Sequence, residues 1–136
     1  MGCRAELLTL AFTSMDISSA ESNGIRRRTT RKHRVLLHAS DSPGDVPKAL
    51  AAAKVIVDNL PEVQVEVIVN GAALDGTLSQ AELLEPEPHV QVFACALGMS
   101  RRNLHVESLQ TMVGIVDSAV VALTQEQLEG AAYVRI

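Results

Sequence analysis

From residue 34 onward, short apolar runs alternate with stretches of helical periodicity, and this alternation limits the possible folds more than any other feature of the chain. Apolar residues recur at steps of three and four between Val46 and Leu60, which predicts an amphipathic helix. Strands that alternate with helices over short connections form a parallel sheet covered on both faces. The sequence therefore predicts an α/β fold, a three-layer α/β/α sandwich around a mostly parallel five-stranded sheet. The five predicted strands are residues 35–40, 63–69, 90–95, 112–116 and 133–136.

The order of the strands in the sheet follows from the second run, residues 63–69. Four valines alternate there with Gln64, Glu66 and Ile68, and a period of two with one polar face is typical of a half-exposed strand. We therefore expect this strand at an edge of the sheet. With strands numbered along the chain, the compact order is 2-1-3-4-5.

This strand order predicts where a ligand would bind. The winding direction reverses between the first and third strands, so the connections that follow them diverge over the strand ends. In open α/β sheets, ligands bind in the crevice that such a reversal leaves. We expect His38, Asp41 and Cys95 to rim that crevice.

Cys95 ends the third predicted strand. Ser100 is a natural N-cap, so a helix is predicted from about Ser100 to Gln110, with Arg101 and Arg102 in its first turn. Helix N-termini and nearby cations favour the reactive thiolate form of cysteine. We expect Cys95 to be the catalytic residue and to present its sulfur to solvent. A buried structural cysteine is the alternative, because free cysteine is among the residue types most often buried.

The other candidate residues are polar and lie at strand ends or in turns. His38 could act as an acid or base near neutral pH. Each candidate also has an ordinary structural explanation, because histidines at strand ends are often simply hydrogen-bonded, asparagine is common in turns and paired arginines often form a solvated face. We expect the substrate-binding residues to be His38, Asp41, Asn70, Arg101, Arg102 and Asn103.

The fourth strand is followed by a segment that periodicity leaves open. Residues 117–123 fit either a continued strand or a loop. Thr124 to Gln127 has the capping-box pattern of a helix start, and Gly130 stands where that helix would end.

Several kinds of site are excluded by the sequence. It contains neither the phosphate-binding pattern G-x-x-x-x-G-K-[ST] nor the dinucleotide pattern G-x-G-x-x-G. The nucleophile pattern G-x-S-x-G is also missing. The histidines at positions 33, 38, 89 and 105 lack the spacing of metal ligands. We expect no metal and no organic cofactor.

Cysteine usage and charge bear on the compartment and the partners. Two cysteines 92 positions apart form no disulfide framework, so a reducing cytoplasm is expected, and no apolar run is long enough to span a bilayer. Residues 1–34 hold seven Lys or Arg against three Asp or Glu, whereas the remaining residues hold five against thirteen. We expect residues 1–33 to be a disordered basic extension. An acidic body with one Tyr, two Phe and no Trp is not expected to bind nucleic acid, although the basic run Arg26–Arg34 could do so as a flexible arm.

Four features of residues 34–136 carry a family resemblance: the first strand with its Asp-containing turn, the segment Leu60–Gly71, the cysteine ending the third strand, and the segment Gln127–Arg135. In order and spacing they resemble the DsrE/DsrF-like (YchN-like) family of small sulfur-relay-related proteins. The resemblance implies a DsrE-like α/β domain, cytoplasmic persulfide transfer through the cysteine at position 95, a homo-oligomer (trimer or hexamer), and a protein that donates or accepts the sulfur. A non-catalytic oligomeric module that binds a small ligand or a partner is the alternative function.

Overall fold

The computed structural model describes residues 33–136, which belong to one compact unit. Within this range the chain forms five parallel strands: β1 His33–Ala39, β2 Val63–Val69, β3 Val90–Cys95, β4 Val113–Val116 and β5 Ala132–Arg135. The same residues form the helices α1 Asp45–Asn59, α2 Ala96–Arg101 and α3 Ala119–Leu128, together with 3-10 helices at Gly71–Thr77 and Val106–Ser108. The predicted α/β/α sandwich is confirmed. The predicted basic extension, residues 1–33, lies outside the described residues apart from His33.

The strands follow the order 4-3-2-1-5, so the predicted order 2-1-3-4-5 is wrong. β2 lies at the centre of the sheet rather than at an edge, and all seven of its residues are buried. The alternation in this strand does not mark a solvent face, because Gln64 and Glu66 lie buried on the sheet face that α3 covers. Buried polar side chains therefore produced a pattern that resembles half-exposure.

The two faces of the sheet are covered in different ways. On the first face, α1 and the 3-10 helix Gly71–Thr77 pack on a core of Val, Leu and Ala. From β1 to β4 the chain steps across the sheet in one direction. It then returns past β1 to β5, and right-handed crossovers place the helix of that return on the opposite face. On this second face, α3 packs on Leu36, Ile68, Phe93, Cys95 and Val116.

Helix α3 crosses the second face diagonally. Its first residue, Ala119, lies against Cys95 at the carboxyl end of β3. Its last turns reach the amino end of β1, where the Arg34 guanidinium pairs with Glu126 and Glu129. This path leaves the carboxyl ends of β1, β2 and β5 open on the second face. None of the helices within residues 33–136 has the length and apolar character needed to cross a membrane.

Candidate functional site

Cys95 is the last residue of β3 and the N-cap of α2. Its Sγ accepts two backbone N–H bonds, one from Gly98 in the first turn of α2 at 3.3 Å and one from Ala119, the first residue of α3, at 3.2 Å. The predicted helix from Ser100 to Gln110 is wrong, because α2 begins at Ala96 and ends at Arg101. The sulfur thus lies where two helices begin.

The topology explains why two helix starts converge on this strand end. The connection after β3 covers the first face, whereas the connection after β4 covers the second. The two connections therefore diverge at the neighbouring carboxyl ends of β3 and β4. This is the switch point at which open α/β sheets bind ligands. The predicted location between the first and third strands is wrong, because β2 separates them. Cys95 nonetheless lies at the switch point.

The thiol of Cys95 is covered. The residue keeps only 4% of its surface and packs with Phe93, Ile68 and Val116 beneath α3. The expectation that the sulfur faces solvent is therefore wrong for this conformation. The physical reason is the early start of α3 at Ala119, since that end of the helix packs directly over the sulfur.

Three of the predicted site residues lie at the end of α2 and make no hydrogen bond to the Cys95 sulfur: Arg101, Arg102 and Asn103. Arg102 donates to Asp75 at 3.1 Å, on the side of the 3-10 helix Gly71–Thr77, and Arg101 is exposed. Asn103 is exposed and has a φ of 57°, a left-handed conformation that asparagine adopts readily in turns. The hydrogen bonds to the sulfur come from backbone amides and not from these arginines.

His38 is hydrogen-bonded through both ring nitrogens. Nδ1 lies 2.7 Å from the Tyr133 hydroxyl and Nε2 lies 3.0 Å from the Asn70 Oδ1. The structure therefore brings together the predicted residues His38 and Asn70. Tyr133 was missed because the predicted order kept the last strand away from the first, whereas β5 pairs directly with β1. The one signal for it was that the only tyrosine of the chain lies in a short final strand.

Asp41, the remaining predicted residue, forms an ion pair with Arg135 at 2.8 Å. Arg135 was also missed, for the same reason as Tyr133. Both side chains are well exposed, so the pair contributes little to stability. The pair connects the turn after β1 with the end of β5, next to the hydrogen-bonded cluster of His38, Asn70 and Tyr133, which we call the His38 cluster.

Asn70 lies between His38 and Cys95. Val69 of β2 and Ala94 of β3 are partners in the parallel register, so the residues that follow them, Asn70 and Cys95, lie side by side. Neighbouring strands are about 5 Å apart. A row of side chains, Tyr133–His38–Asn70–Cys95, therefore runs along the second face across β5, β1, β2 and β3. We call this row the carboxyl-edge row, and it is the candidate site.

Residues 33–136 contain no group of three or more His, Cys, Asp and Glu side chains placed to hold a metal ion. The carboxyl-edge row offers one thiol, one imidazole, one phenol and one carboxamide. These groups can exchange protons, donate hydrogen bonds and, at the thiol, form a covalent bond.

Solved structures that share the fold of this chain include MTH1491 and YchN. MTH1491 from Methanobacterium thermoautotrophicum, described as a protein of unknown function, is 21% identical with a TM-score of 0.67, over 77% of this chain and 100% of that chain. YchN from E. coli is 14% identical with a TM-score of 0.61, over 76% of this chain and 99% of that chain. Neither a protein-family profile nor a curated protein matches the sequence. At these identities the comparisons establish the fold, and they support the resemblance to the YchN-like proteins at that level.

Proposed function

We propose that this chain, which has the fold of YchN, carries a sulfane sulfur on Cys95 as a persulfide. The observation that supports the proposal is the pair of N–H groups, from Gly98 and Ala119, that converge on Sγ. Hydrogen bonds to an ionised acceptor are roughly twice as strong as those between neutral groups. Two donors aimed at one sulfur therefore offer hydrogen bonds to the negatively charged sulfur that takes part in the transfer.

The transfer is a displacement at sulfur without net oxidation. The Cys95 thiolate attacks the outer sulfur of a donor persulfide, R–S–S⁻, and a new S–S bond forms on Cys95. The S–S bond of the donor breaks, and its inner sulfur leaves as the thiolate R–S⁻. Transfer to an acceptor repeats the same step, with Cys95 as the leaving thiolate.

Access to the sulfur restricts how a donor can approach. The starts of α2 and α3 occupy two sides of Sγ, and Phe93 and Val116 lie in the same buried cluster. On the β2 side the neighbour is Asn70, which is only half-buried. The donor therefore approaches from the open carboxyl ends of β1 and β2, past Asn70.

The test is sulfur uptake followed by peptide-level mass spectrometry. The folded protein is incubated with a low-molecular-weight persulfide, and the peptide that contains Cys95 should gain about 32 Da, one sulfur atom. A Cys3→Ser variant should retain this adduct, whereas a Cys95→Ser variant should lose it. If the thiol takes up no sulfur in the folded protein but does so after denaturation, the proposal is wrong.

Burial of the thiol favours a second candidate function, a binding module without covalent chemistry. In that case the half-buried cluster of His38 and Asn70, open on the second face, would hold a small ligand or a partner. Cys95 would be a core residue, and Cys95→Ala would cost on the order of 1 kcal/mol and leave binding intact. The sulfur-uptake experiment separates the two functions.

We also propose that the chain self-associates through the outer side of α3. Val120, Val121 and Leu128 are 70%, 60% and 83% exposed. The exposed residues of α3 carry no charge, whereas residues 35–136 as a whole are acidic. Two copies of an acidic protein approach most easily through an uncharged apolar surface. The protein that donates or accepts sulfur then binds elsewhere, at the carboxyl ends of β1 and β2.

A further inference from the structure

We infer that Asn70, held in one orientation by His38 and Tyr133, positions the outer sulfur of the persulfide beside Cys95. This inference rests on the proposed sulfur transfer and assigns a binding role within it. Asn70 is the residue that touches the sulfur. His38 and Tyr133 act through Asn70 and are positioning residues.

The orientation of the Asn70 carboxamide follows from the hydrogen bonds of His38. Oδ1 of Asn70 can only accept, so Nε2 of His38 must carry the hydrogen. In a neutral imidazole, Nδ1 then accepts a hydrogen bond from the Tyr133 hydroxyl. A protonated imidazole would still donate from Nε2, because the hydroxyl can accept from Nδ1 after rotating. Both charge states of His38 therefore hold Oδ1 on the β1 side.

The amide nitrogen of Asn70 then points away from His38. A carboxamide is planar, with its oxygen and nitrogen on opposite sides of the same carbon. Because Asn70 lies between His38 on β1 and Cys95 on β3, its Nδ2 is turned toward the Cys95 side of the strand ends. Within residues 33–136, Nδ2 donates to no other group, so both of its hydrogens are available to a ligand.

The persulfide needs a donor at this position. Its outer sulfur lies about 2 Å beyond Sγ. The N–H groups of Gly98 and Ala119 already bond to Sγ itself, and the side left for the outer sulfur is the one next to half-buried Asn70. The outer sulfur carries the negative charge of the persulfide, so an N–H group directed at it forms a charge-assisted bond.

The experiment compares two reactions of the same thiol. Sulfur uptake from a low-molecular-weight persulfide builds the outer sulfur, whereas alkylation by iodoacetamide does not. A residue that positions the outer sulfur affects uptake and leaves alkylation unchanged. A residue that merely supports the fold around Cys95 affects both rates together.

The variants separate the members of the row. Asn70→Ala removes the donor, and uptake should slow by about tenfold to a hundredfold, the value of one hydrogen bond to a charged group. His38→Leu should have a similar effect because Asn70 is then free to turn. His38→Gln, whose amide can donate to the Asn70 oxygen, should restore most of the rate. Tyr133→Phe removes the hydrogen bond that fixes the tautomer of His38, and it should lower the uptake rate by a smaller factor.

The matched control is Asn59→Ala. Asn59 is exposed at the end of α1, far from the carboxyl ends of the strands, and within residues 33–136 its side chain bonds only the carbonyl of Val55. Its uptake rate should equal that of the wild type. Thermal melts of each variant show that the comparison is between folded proteins, and Tyr133→Phe is the mildest substitution if the others melt early.

The outcomes distinguish this inference from the proposed function. Normal uptake in Asn70→Ala, or equal slowing of uptake and alkylation in the His38 variants, overturns the role of Asn70 while sulfur transfer stands. A wild-type protein whose Cys95 takes up no sulfur overturns both. Slow uptake with unchanged alkylation in Asn70→Ala and His38→Leu, together with recovery in His38→Gln, is the result expected.

Discussion

The two halves of the carboxyl edge of the sheet differ in their burial and in the groups that form their hydrogen bonds. At β3 and β4, Cys95 is covered by α3, packs among apolar side chains and receives its hydrogen bonds from the backbone. At β1, β2 and β5 the edge is open, and its hydrogen bonds join side chains, from Tyr133 through His38 to Asn70. One half encloses the thiol of Cys95 and the other presents polar groups to solvent.

Under the proposed sulfur transfer, this difference separates two requirements. A persulfide must be shielded from water and from unwanted thiols, and burial beneath α3 supplies that shield. A donor must also be recognised, and exposed polar side chains can do so at the open half. Asn70 adjoins both halves, because it bonds to His38 and lies beside Cys95 in the register.

The largest effect is expected from the covered half. Cys95→Ser should abolish sulfur uptake at position 95, because the oxygen cannot form the persulfide, while the N–H groups of Gly98 and Ala119 keep an acceptor. Mass spectrometry after incubation with a persulfide measures the loss. If the wild-type protein takes up sulfur on Cys3 and not on Cys95, the chemistry lies elsewhere.

Helix α3, which covers Cys95, can be destabilised at its C-terminal end. Arg34→Met removes the positive charge between Glu126 and Glu129, and both Arg34 and Glu126 are more than nine-tenths buried at their side chains. Breaking a buried ion pair costs about 3 kcal/mol of the free energy of unfolding. Chemical denaturation should record this loss, and alkylation of Cys95 should become faster because the thiol is reached through open forms.

The control for that variant is Lys54→Ala. Lys54 pairs with Asp58 one turn along α1, and both side chains are more than half exposed. The pKa of Lys54 is raised by its hydrogen bond to Asp58, but such an exposed pair is nearly neutral for stability. If Lys54→Ala proves as destabilising as Arg34→Met, the distinction between the buried and the exposed ion pair is wrong.

A substitution on the exposed side of α3 tests the proposed self-association. Val120→Asp places a negative charge on the uncharged exposed side of α3 and should lower the molecular mass measured by light scattering to that of one chain. The exposed position leaves the stability of the monomer within about 0.5 kcal/mol. Val55→Asp, at a position of α1 that is 62% exposed, is the matched control and should leave the mass unchanged. A protein that is monomeric before substitution contradicts the proposal outright.

The smallest effect is expected at the open half. Arg135→Ala removes the ion pair with Asp41, whose two side chains are 49% and 70% exposed. The free energy of unfolding should fall by less than about 1 kcal/mol, and less still at high salt. Thermal denaturation at two salt concentrations checks this. A loss comparable to that of Arg34→Met would mean that the open half also supports the fold.

The layered architecture could be predicted because it depends on local periodicity. The apolar stripe of α1 and the five short strands are each visible in a window of a few residues. The strand order could not be predicted in the same way. Glu66 is 2% exposed at the centre of the sheet, and no local pattern distinguishes a buried glutamate from a solvent-facing one.

The candidate site could be predicted only in part, for two physical reasons. Ala119–Leu123 is apolar throughout, so it fits a strand as well as a helix, and the cover over Cys95 was therefore missed. The pairing of β5 with β1 joins residues almost a hundred positions apart, so Tyr133 and Arg135 could not be connected to His38 and Asp41. Cys95, His38 and Asn70 were predicted from their place at strand ends, which is a local property.

The most direct measurement of the central claim is a pair of backbone amide spectra, recorded by ¹H–¹⁵N NMR before and after treatment with a persulfide. If the amides of Gly98 and Ala119 hold the anionic sulfur on Cys95, their two signals should shift further than any other backbone signal, and the side-chain amide of Asn70 should shift with them. Spectra in which these signals stay in place, from a protein that remains folded, would contradict the account.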